Sequence, residues 1–225
     1  MTDQPAPSTK QRLRLVFGKL GSLKYVGHLD LAKTWERILR RAQISLSYSQ
    51  GFNARPKIQL ATALPLGITS DCEILDIWLD HPLPIEGLAE HLMSVSPPGL
   101  PIHQIEEVPL RSPALQTMLV SATYLMTPQP IDESAGGISP DALKLRVAEL
   151  LTQSQLMRTR NEKSYDLRPL IISLSVNAEG QIHSELALSA HGTARPDELL
   201  DALGLKDISM SIHRIKIKLQ ESSPA

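Results

Sequence analysis

Short segments of alternating strand and helix pattern follow one another along this chain, and their order restricts the folds that it can form. Residues 12–20 alternate polar and apolar side chains as a half-buried strand does, and residues 29–42 place apolar side chains at helical spacing. The pattern continues with a strand, a strand, a short amphipathic helix and a strand, at 57–64, 72–79, 85–95 and 102–110. The resulting order, β-α-β-β-α-β, is that of the ferredoxin-like fold.

The second half of the chain repeats this order of elements. After a linker rich in Pro, Gly and Ser at 127–140, the helix pattern at 141–153 begins next to a proline, which suits a first helical turn. The other patterns are strands at 119–126, 170–176, 183–190 and 210–219 and a short helix at 197–203. We therefore expect an α+β protein of two ferredoxin-like (βαββαβ) halves in tandem. The expected domains are a disordered tail at 1–10, halves at 11–112 and 113–220, and a tail at 221–225.

Composition excludes several classes of protein. Cys72 is the only cysteine in the 225 residues, so the chain holds no internal disulfide and no cysteine-bound iron–sulfur cluster. The seven histidines show no zinc-finger or HExxH spacing, and there is no Walker loop or GxGxxG, so we expect no metal and no cofactor. Apolar runs are too short to cross a bilayer and residues 1–9 lack the apolar core of a signal peptide, which predicts a cytoplasmic protein without membrane contact.

The net charge of −1 conceals a strong asymmetry along the chain. Residues 10–60 contain eleven Lys or Arg against two acids, Asp30 and Glu36, a net charge of +9. Residues 61–225 have a net charge of −9. A basic end of this density is typical of proteins that bind a polyanion.

The predicted helix at 29–42 carries cations off its apolar stripe. Lys33, Arg37 and Arg41 follow one another at spacings of four, and Arg40 lies beside them. Neighbouring like charges cost a few tenths of a kcal/mol per pair, so an anionic partner would relieve the repulsion. The alternative is a solvated helix face whose charges have no ligand.

The helix is flanked by further basic and aromatic residues, above all in the stretch YSQGFNARPK at 48–57. Aromatic side chains among cations around a glycine suit single-stranded or looped RNA, because unpaired bases stack on rings while cations meet phosphates. The alternative is that the rings cap a sheet edge or, for Phe52, enter the core. The nucleic-acid-binding candidates outside the helix are Lys19, Lys24, Tyr48, Phe52, Asn53, Arg55 and Lys57.

Two weaker candidates remain. His28 precedes the basic helix, where an imidazole can act as general acid or base, or equally cap the helix. A secondary loop site gathers polar residues of MRTRNEKSYDLRP and AHGTARP. Its members are Arg158, Arg160, Asn161, Lys163, Arg168, His191 and Arg195. Arg168 and Arg195 precede prolines and are interpreted first as anchors that bond backbone carbonyls or Asp166.

Four stretches carry a resemblance to a known family: FGKLGSLKYVGHLDL, RRAQISLSYSQGFNARPKIQLATALPLG, KSYDLRPLI and HGTARPDELL. Over about residues 11–219 the chain resembles the bacterial radical-SAM-linked domain of unknown function, in its stand-alone form. The resemblance implies an accessory of a radical SAM protein in RNA modification or maturation. The chain departs from the fused form of that family at one point, because the three cluster cysteines of a radical SAM enzyme are missing.

Three functions follow as hypotheses. The first is a non-catalytic accessory domain that binds RNA (tRNA or rRNA) or presents substrate to a radical SAM enzyme. The second is a metal-independent ribonuclease on the tandem ferredoxin-like scaffold, with His28 as acid or base. The third is a protein-interaction module that docks on a radical SAM partner.

Overall fold

The computed structural model describes residues 10–129, 138–160, 162–189 and 192–220. These residues form two compact units divided between Thr117 and Met118, whereas the sequence patterns predict the boundary near 112. The predicted tail at 221–225, nearly all of the predicted tail at 1–10, and most of the predicted linker lie outside the described residues. The mixed α+β class that the sequence predicts is confirmed.

The first unit is a four-stranded antiparallel sheet with two principal helices. Its elements are β1 (Gln11–Lys19), α1 (His28–Arg41), β2 (Ile58–Leu60), β3 (Thr69–Leu79), α2 (Leu88–Ser94), β4 (Ile102–Glu107) and the single turn α3 (Leu115–Met118). The strands pair in the order β4–β1–β3–β2. Helix α1 buries the apolar stripe that the sequence predicts, and its Trp35 ring meets Phe17 of β1 edge to face at 4.8 Å between centroids.

Strand β1 is buried on both faces, and the prediction of a half-buried strand is wrong. Its polar face packs around Asp76 of β3, whose carboxylate accepts hydrogen bonds from the Arg12 Nε at 2.9 Å and the Arg14 Nε at 2.9 Å. Arg12 also donates to the carbonyls of Ser112 and Pro113, and its guanidinium lies 4.6 Å from the centre of the Trp78 ring. With Lys19 at the end of the same strand, three of the eleven cations counted at the basic end are therefore internal.

Strand β2 is shorter than its pattern predicts. The expected strand at 57–64 is paired only over Ile58–Leu60, opposite Leu75–Ile77 of β3. The Ala61 N–H still donates to the Ile74 carbonyl, and Pro65, which has no N–H, follows soon after. A proline also follows the end of β4, which ends at Glu107, two residues before Pro109.

The second unit has a sheet of the same order and two additions. Its elements are β5 (Leu119–Pro128), α4 (Pro140–Thr152), β6 (Met157–Arg160), β7 (Lys163–Asp166), β8 (Ile171–Val176), β9 (Ile182–Ser189), β10 (Gly192–Thr193), α5 (Pro196–Ala202) and β11 (Met210–Leu219). The strands pair antiparallel as β11–β5–β9–β8, and the short β10 also pairs with β9. Strands β6 and β7 form a separate hairpin.

The β6–β7 hairpin lies where the sequence predicts a loop. Its residues are almost all polar, so they lack the apolar alternation by which strands are recognised. The strands are joined by two residues, of which Glu162 has a left-handed backbone with φ of 64°. A two-residue connection with positive φ is typical of hairpins, so the Asn-Glu pair at 161–162 was the available signal.

Helix α1 ends in a Schellman motif whose left-handed position is occupied by Gln43. The Ile44 N–H donates to the Leu39 carbonyl at 2.9 Å and the Gln43 N–H to the Arg40 carbonyl at 3.1 Å. Gln43 has φ of 57°, a conformation that glycine adopts with less strain.

Gln43→Gly should therefore stabilise the protein by about 1 kcal/mol, which corresponds to a rise in Tm of roughly 2–4 °C for a chain of this size. Thermal unfolding followed by circular dichroism measures the change. Gln43→Ala keeps a Cβ in the left-handed conformation and is the matched control, which should not gain this stability. An unchanged Tm for the glycine variant would show that Gln43 is not strained.

Candidate nucleic-acid interface

Four cations of α1 lie on its exposed side, as the sequence predicts. We call Lys33, Arg37, Arg40 and Arg41 the basic helix face; all four are exposed. Lys33 pairs with Asp30 across 3.3 Å. Within the described part of the chain, the three guanidiniums have no carboxylate partner in salt-bridge contact.

The segment after α1 is a supported projection from the sheet, here called the arm (residues 46–57). Its two legs are joined by hydrogen bonds from the Ser49 N–H to the Arg55 carbonyl and from the Lys57 N–H to the Ser47 carbonyl, both of 2.8 Å. The Ser47 N–H also donates to the Trp78 carbonyl of β3 at 2.7 Å, which ties the base of the arm to the sheet. The tip, residues 50–54, is exposed.

The aromatic rings of the arm differ in exposure. Phe52 at the tip is fully exposed, so the alternative of a core role for Phe52 is wrong. Tyr48 is 48 % exposed and lies in a leg of the arm, paired with Pro56. Both rings are accessible to a partner, and Asn53 and Arg55 are exposed beside Phe52.

A cavity of about 330 Å³ joins the two candidate segments of the first unit. Glu36 and Arg40 of α1 line one side of it, and Tyr48 and Pro56 of the arm line another. The fold thus brings an arginine of the basic helix face and an aromatic ring of the arm to one concave surface.

The lysines outside the helix do not all belong to this surface. Lys19, predicted to contact nucleic acid, is only 1 % exposed at the end of the buried strand β1, and we remove it from the site. Lys24 is half-buried in the turn before α1, where its ammonium lies 5.1 Å from the centre of the Tyr25 ring. Lys57 is half-buried where the arm returns to the sheet.

His28 is the first residue of α1 and is half-buried. Among the residues that the structure describes, no hydrogen-bond partner contacts its ring. General acid–base catalysis by histidine needs a group that orients the ring or relays the proton, so the geometry adds nothing to a catalytic role for His28.

The secondary loop site gathers in the second unit around the β6–β7 hairpin. Arg160 lies 3.5 Å from the Glu198 carboxylate and 5.3 Å from the centre of the Tyr165 ring. Burial, followed by the nearby Glu198 carboxylate, raises the pKa of Tyr165 to about 12, so its phenol stays protonated at neutral pH. Arg158 is half-buried and Lys163 exposed on the same hairpin. Asn161 and His191 lie outside the described residues.

The two arginines that precede prolines have anchoring contacts. The Arg168 Nη2 donates to the Leu151 carbonyl at 3.3 Å, and its backbone N–H donates to the Asp166 carboxylate at 2.9 Å. The Arg195 guanidinium pairs with Asp197 at 2.9 Å, beside the start of α5. The Arg168 contact with a backbone carbonyl is of the kind that the anchor interpretation predicts, whereas the Arg195 guanidinium pairs with Asp197 instead of a carbonyl or Asp166.

Two searches of the described residues give negative results. No group of three or more His, Cys, Asp or Glu side chains is arranged there to hold a metal ion. None of the helices described is both long and apolar enough to cross a membrane.

Fold and site together define a two-unit α+β protein with an exposed cationic helix beside an aromatic arm. Residues 12–196 match the family model described as "Uncharacterized protein conserved in bacteria (DUF2344)". The match spans most of the chain, and the protein belongs to this family. The bacterial domain of unknown function that the sequence motifs indicate is confirmed at this level.

Solved structures show distant likeness only. The chain is similar to a chain of the structure "Crystal Structure of a Cbf5-Nop10-Gar1 Complex", with 9 % identity and a TM-score of 0.48 over 91 % of this chain. It spans about half of that chain, 48 %. A second similarity, to "Crystal Structure of an Unknown Protein from Galdieria sulphuraria", has 11 % identity and a TM-score of 0.26, over 92 % of this chain and 99 % of the other. Comparison with curated proteins gives no match.

Proposed function

We propose that this chain is a non-catalytic accessory protein that binds RNA, of the tRNA or rRNA class, through the basic helix face and the arm. The observation that carries the proposal is the set of three exposed guanidiniums, Arg37, Arg40 and Arg41, without a described carboxylate partner. Repulsion between such neighbours is relieved when phosphates bind and release their counterions. A solvated helix face remains the alternative.

The arm supplies the second half of the proposed contact. A fully exposed phenylalanine at the tip of a hydrogen-bonded projection is available to stack on an unpaired base. Such stacking contributes about 1–3 kcal/mol per base and does not depend strongly on base identity. Unpaired bases and a phosphate chain occur together in RNA loops, and this favours looped RNA over a duplex.

The fold proposed for this function is a pair of ferredoxin-like halves. The strand orders β4–β1–β3–β2 and β11–β5–β9–β8 support it. The helices also support it, because in each unit one helix follows the first strand along the chain and another precedes the last one. The β6–β7 hairpin is then an insertion into the second half. This fold hosts many functions, so the RNA proposal depends on the site.

The proposed role includes a radical SAM partner, since the sequence motifs imply one and Cys72 alone cannot hold the cluster. In this proposal the partner performs the chemistry in the cytoplasm while this chain grips the RNA. Docking on an acidic partner through the same face is the competing possibility. Capture of the partner that survives nuclease treatment would favour docking over RNA binding.

Binding of fluorescent tRNA, rRNA fragments and an unstructured single strand, each at two salt concentrations, tests the proposal. We expect binding that weakens steeply with salt, with log K falling by about 0.7–0.9 per phosphate contact for each unit of log salt. Absence of binding at low salt would overturn the RNA proposal.

The same samples, examined on a denaturing gel, test the ribonuclease alternative. The accessory role predicts intact RNA after incubation. Fragments that disappear with His28→Ala while binding persists would instead establish cleavage.

A further inference from the structure

A second concave site lies in the second unit, apart from the residues assigned to RNA. It is a cavity of about 650 Å³, within the range of pockets that hold small molecules. The β6–β7 hairpin contributes Arg160, Lys163 and Tyr165 to its wall, and the chain after the hairpin contributes Pro169 and Leu170. Gly192 and Thr193 of β10 line it as well.

The register of the hairpin concentrates positive charge on one of its faces. Arg158 is paired with Tyr165 and Arg160 with Lys163. Directly opposed residues of an antiparallel pair point to the same face, as do residues two apart in a strand, so three cations and one phenol share that face. Such a face suits an anionic ligand.

The acids near this face are largely engaged. Glu198 pairs with Arg160 at 3.5 Å and accepts the Arg195 N–H at 3.3 Å. Asp166 accepts the backbone N–H groups of Leu156 at 2.8 Å and Arg168 at 2.9 Å through one oxygen. Asp166 also lines the cavity, and Glu162 lies in the hairpin connection. Within the described residues neither Arg158 nor Lys163 has a carboxylate in salt-bridge contact, so these two cations are available to an anionic ligand.

Arg160 is held in place at the cavity wall. Besides Glu198, its guanidinium meets the Thr193 carbonyl at 3.4 Å and the Tyr165 ring at 5.3 Å. A guanidinium fixed in this way loses little side-chain entropy when it binds a ligand. Arginine also presents paired donors that match phosphate geometry.

Part of the wall is apolar and depends on a glycine. A Cβ placed on Gly192 would lie 2.7 Å from the Leu170 Cδ2, closer than van der Waals contact allows. The glycine therefore lets the β10 backbone approach Leu170, which forms an apolar surface with Pro169. The cavity thus combines a cationic side with an apolar side, and its volume exceeds that of a bare phosphate.

We propose that this cavity binds a nucleoside monophosphate, with its phosphate on Arg160 and Lys163 and its sugar and base against Pro169 and Leu170. Ser164, Asp166 and Thr193 also line the cavity, and the Thr193 hydroxyl, which donates to the Ser189 carbonyl at 3.3 Å, can accept a hydrogen bond from the sugar. The site shares no residue with the basic helix face or the arm, so either proposal can fail without the other.

Isothermal titration calorimetry on the full chain tests the proposal with four probes: AMP, CMP, adenosine and inorganic phosphate. We expect a nucleotide to bind, and adenosine and phosphate to bind at least about tenfold more weakly, because each offers only half of the contacts. Lys163→Gln should weaken nucleotide binding by about tenfold through loss of a charge-assisted contact. Lys206→Gln, which removes an exposed lysine of the same unit outside the cavity, should leave it unchanged.

Three outcomes of the calorimetry would overturn the proposal. They are no heat from either nucleotide at millimolar concentration, equal affinity for phosphate and AMP, and nucleotide binding that Lys163→Gln does not alter. Loss of RNA affinity in Lys163→Gln without nucleotide binding would also overturn it, since the cavity face would then be part of the RNA site. Arg37→Ala/Arg41→Ala should leave nucleotide affinity unchanged, which separates the two sites.

Discussion

Replacing Arg37 and Arg41 with alanine should weaken RNA binding by about tenfold or more near 0.1 M salt and lower the salt slope by about two. Both side chains are exposed on α1 and have no described carboxylate partner, so their removal breaks no ion pair within the described residues. Alanine is the best helix former, and the double variant also removes like-charge repulsion. The helix should therefore remain folded, and a change in affinity reports lost phosphate contacts. Fluorescence anisotropy at several salt concentrations measures both quantities.

The matched control for this variant is Lys144→Ala/Lys206→Ala. It removes the same number of positive charges from exposed positions in the second unit, and one of them, Lys144, pairs with Asp141 at 3.1 Å on the surface. If affinity depended only on net charge, the two double variants would weaken binding equally, and the basic helix face would lose its special role. Unchanged binding in the arginine variant would assign the RNA to another surface.

Replacing Asp76 with alanine should destabilise the first unit by about 3–5 kcal/mol. The Asp76 carboxylate is fully buried and accepts hydrogen bonds from both Arg12 and Arg14. Its removal leaves two guanidiniums of the buried strand β1 without their shared counterion, and burying an uncompensated charge is costly. Urea unfolding followed by circular dichroism measures the loss as a lower midpoint.

A triple variant separates the charge effect from loss of packing. Arg12→Met, Arg14→Met and Asp76→Leu together replace the buried ions by apolar side chains, an exchange that is often close to neutral in stability. We expect this variant to unfold at a clearly higher urea concentration than Asp76→Ala. Equal midpoints for Asp76→Ala and the unmodified protein would show that the buried ion pairs contribute nothing to stability.

Much of the fold follows from periodicity. The apolar stripe of α1 predicts a helix at nearly its observed bounds, because the stripe matches the geometry of a helix buried on one side. The alternation at 210–219 predicts the bounds of β11, but its pairing with β5 shifts register after Arg214, and the strand buries Arg214 while Ile215 is exposed. The β6–β7 hairpin was missed because it is polar on both faces, and its two-residue connection was its only signal.

The candidate site could be predicted only in part, because periodicity shows which side chains lie off an apolar stripe but not which strands pair. Exposed cations on α1 follow from their position off the apolar stripe, but the alternation in β1 suggested that Arg12 and Arg14 face solvent. In the fold their partner is Asp76, which is paired with Arg14 across the two strands. Asp76 is one of two acids in the otherwise apolar strand CEILDIWL, and such acids were the available sign of a buried ion pair. Only the register between the strands identifies the partners of Asp76.

The placement of Trp35 against Phe17 has a practical consequence for experiments on stability. The chain has two tryptophans, and both Trp35 and Trp78 lie in the first unit. Indole emission therefore reports the unfolding of that unit alone, whereas far-ultraviolet dichroism averages over both. A single titration read by the two signals reveals whether the halves melt together or one after the other.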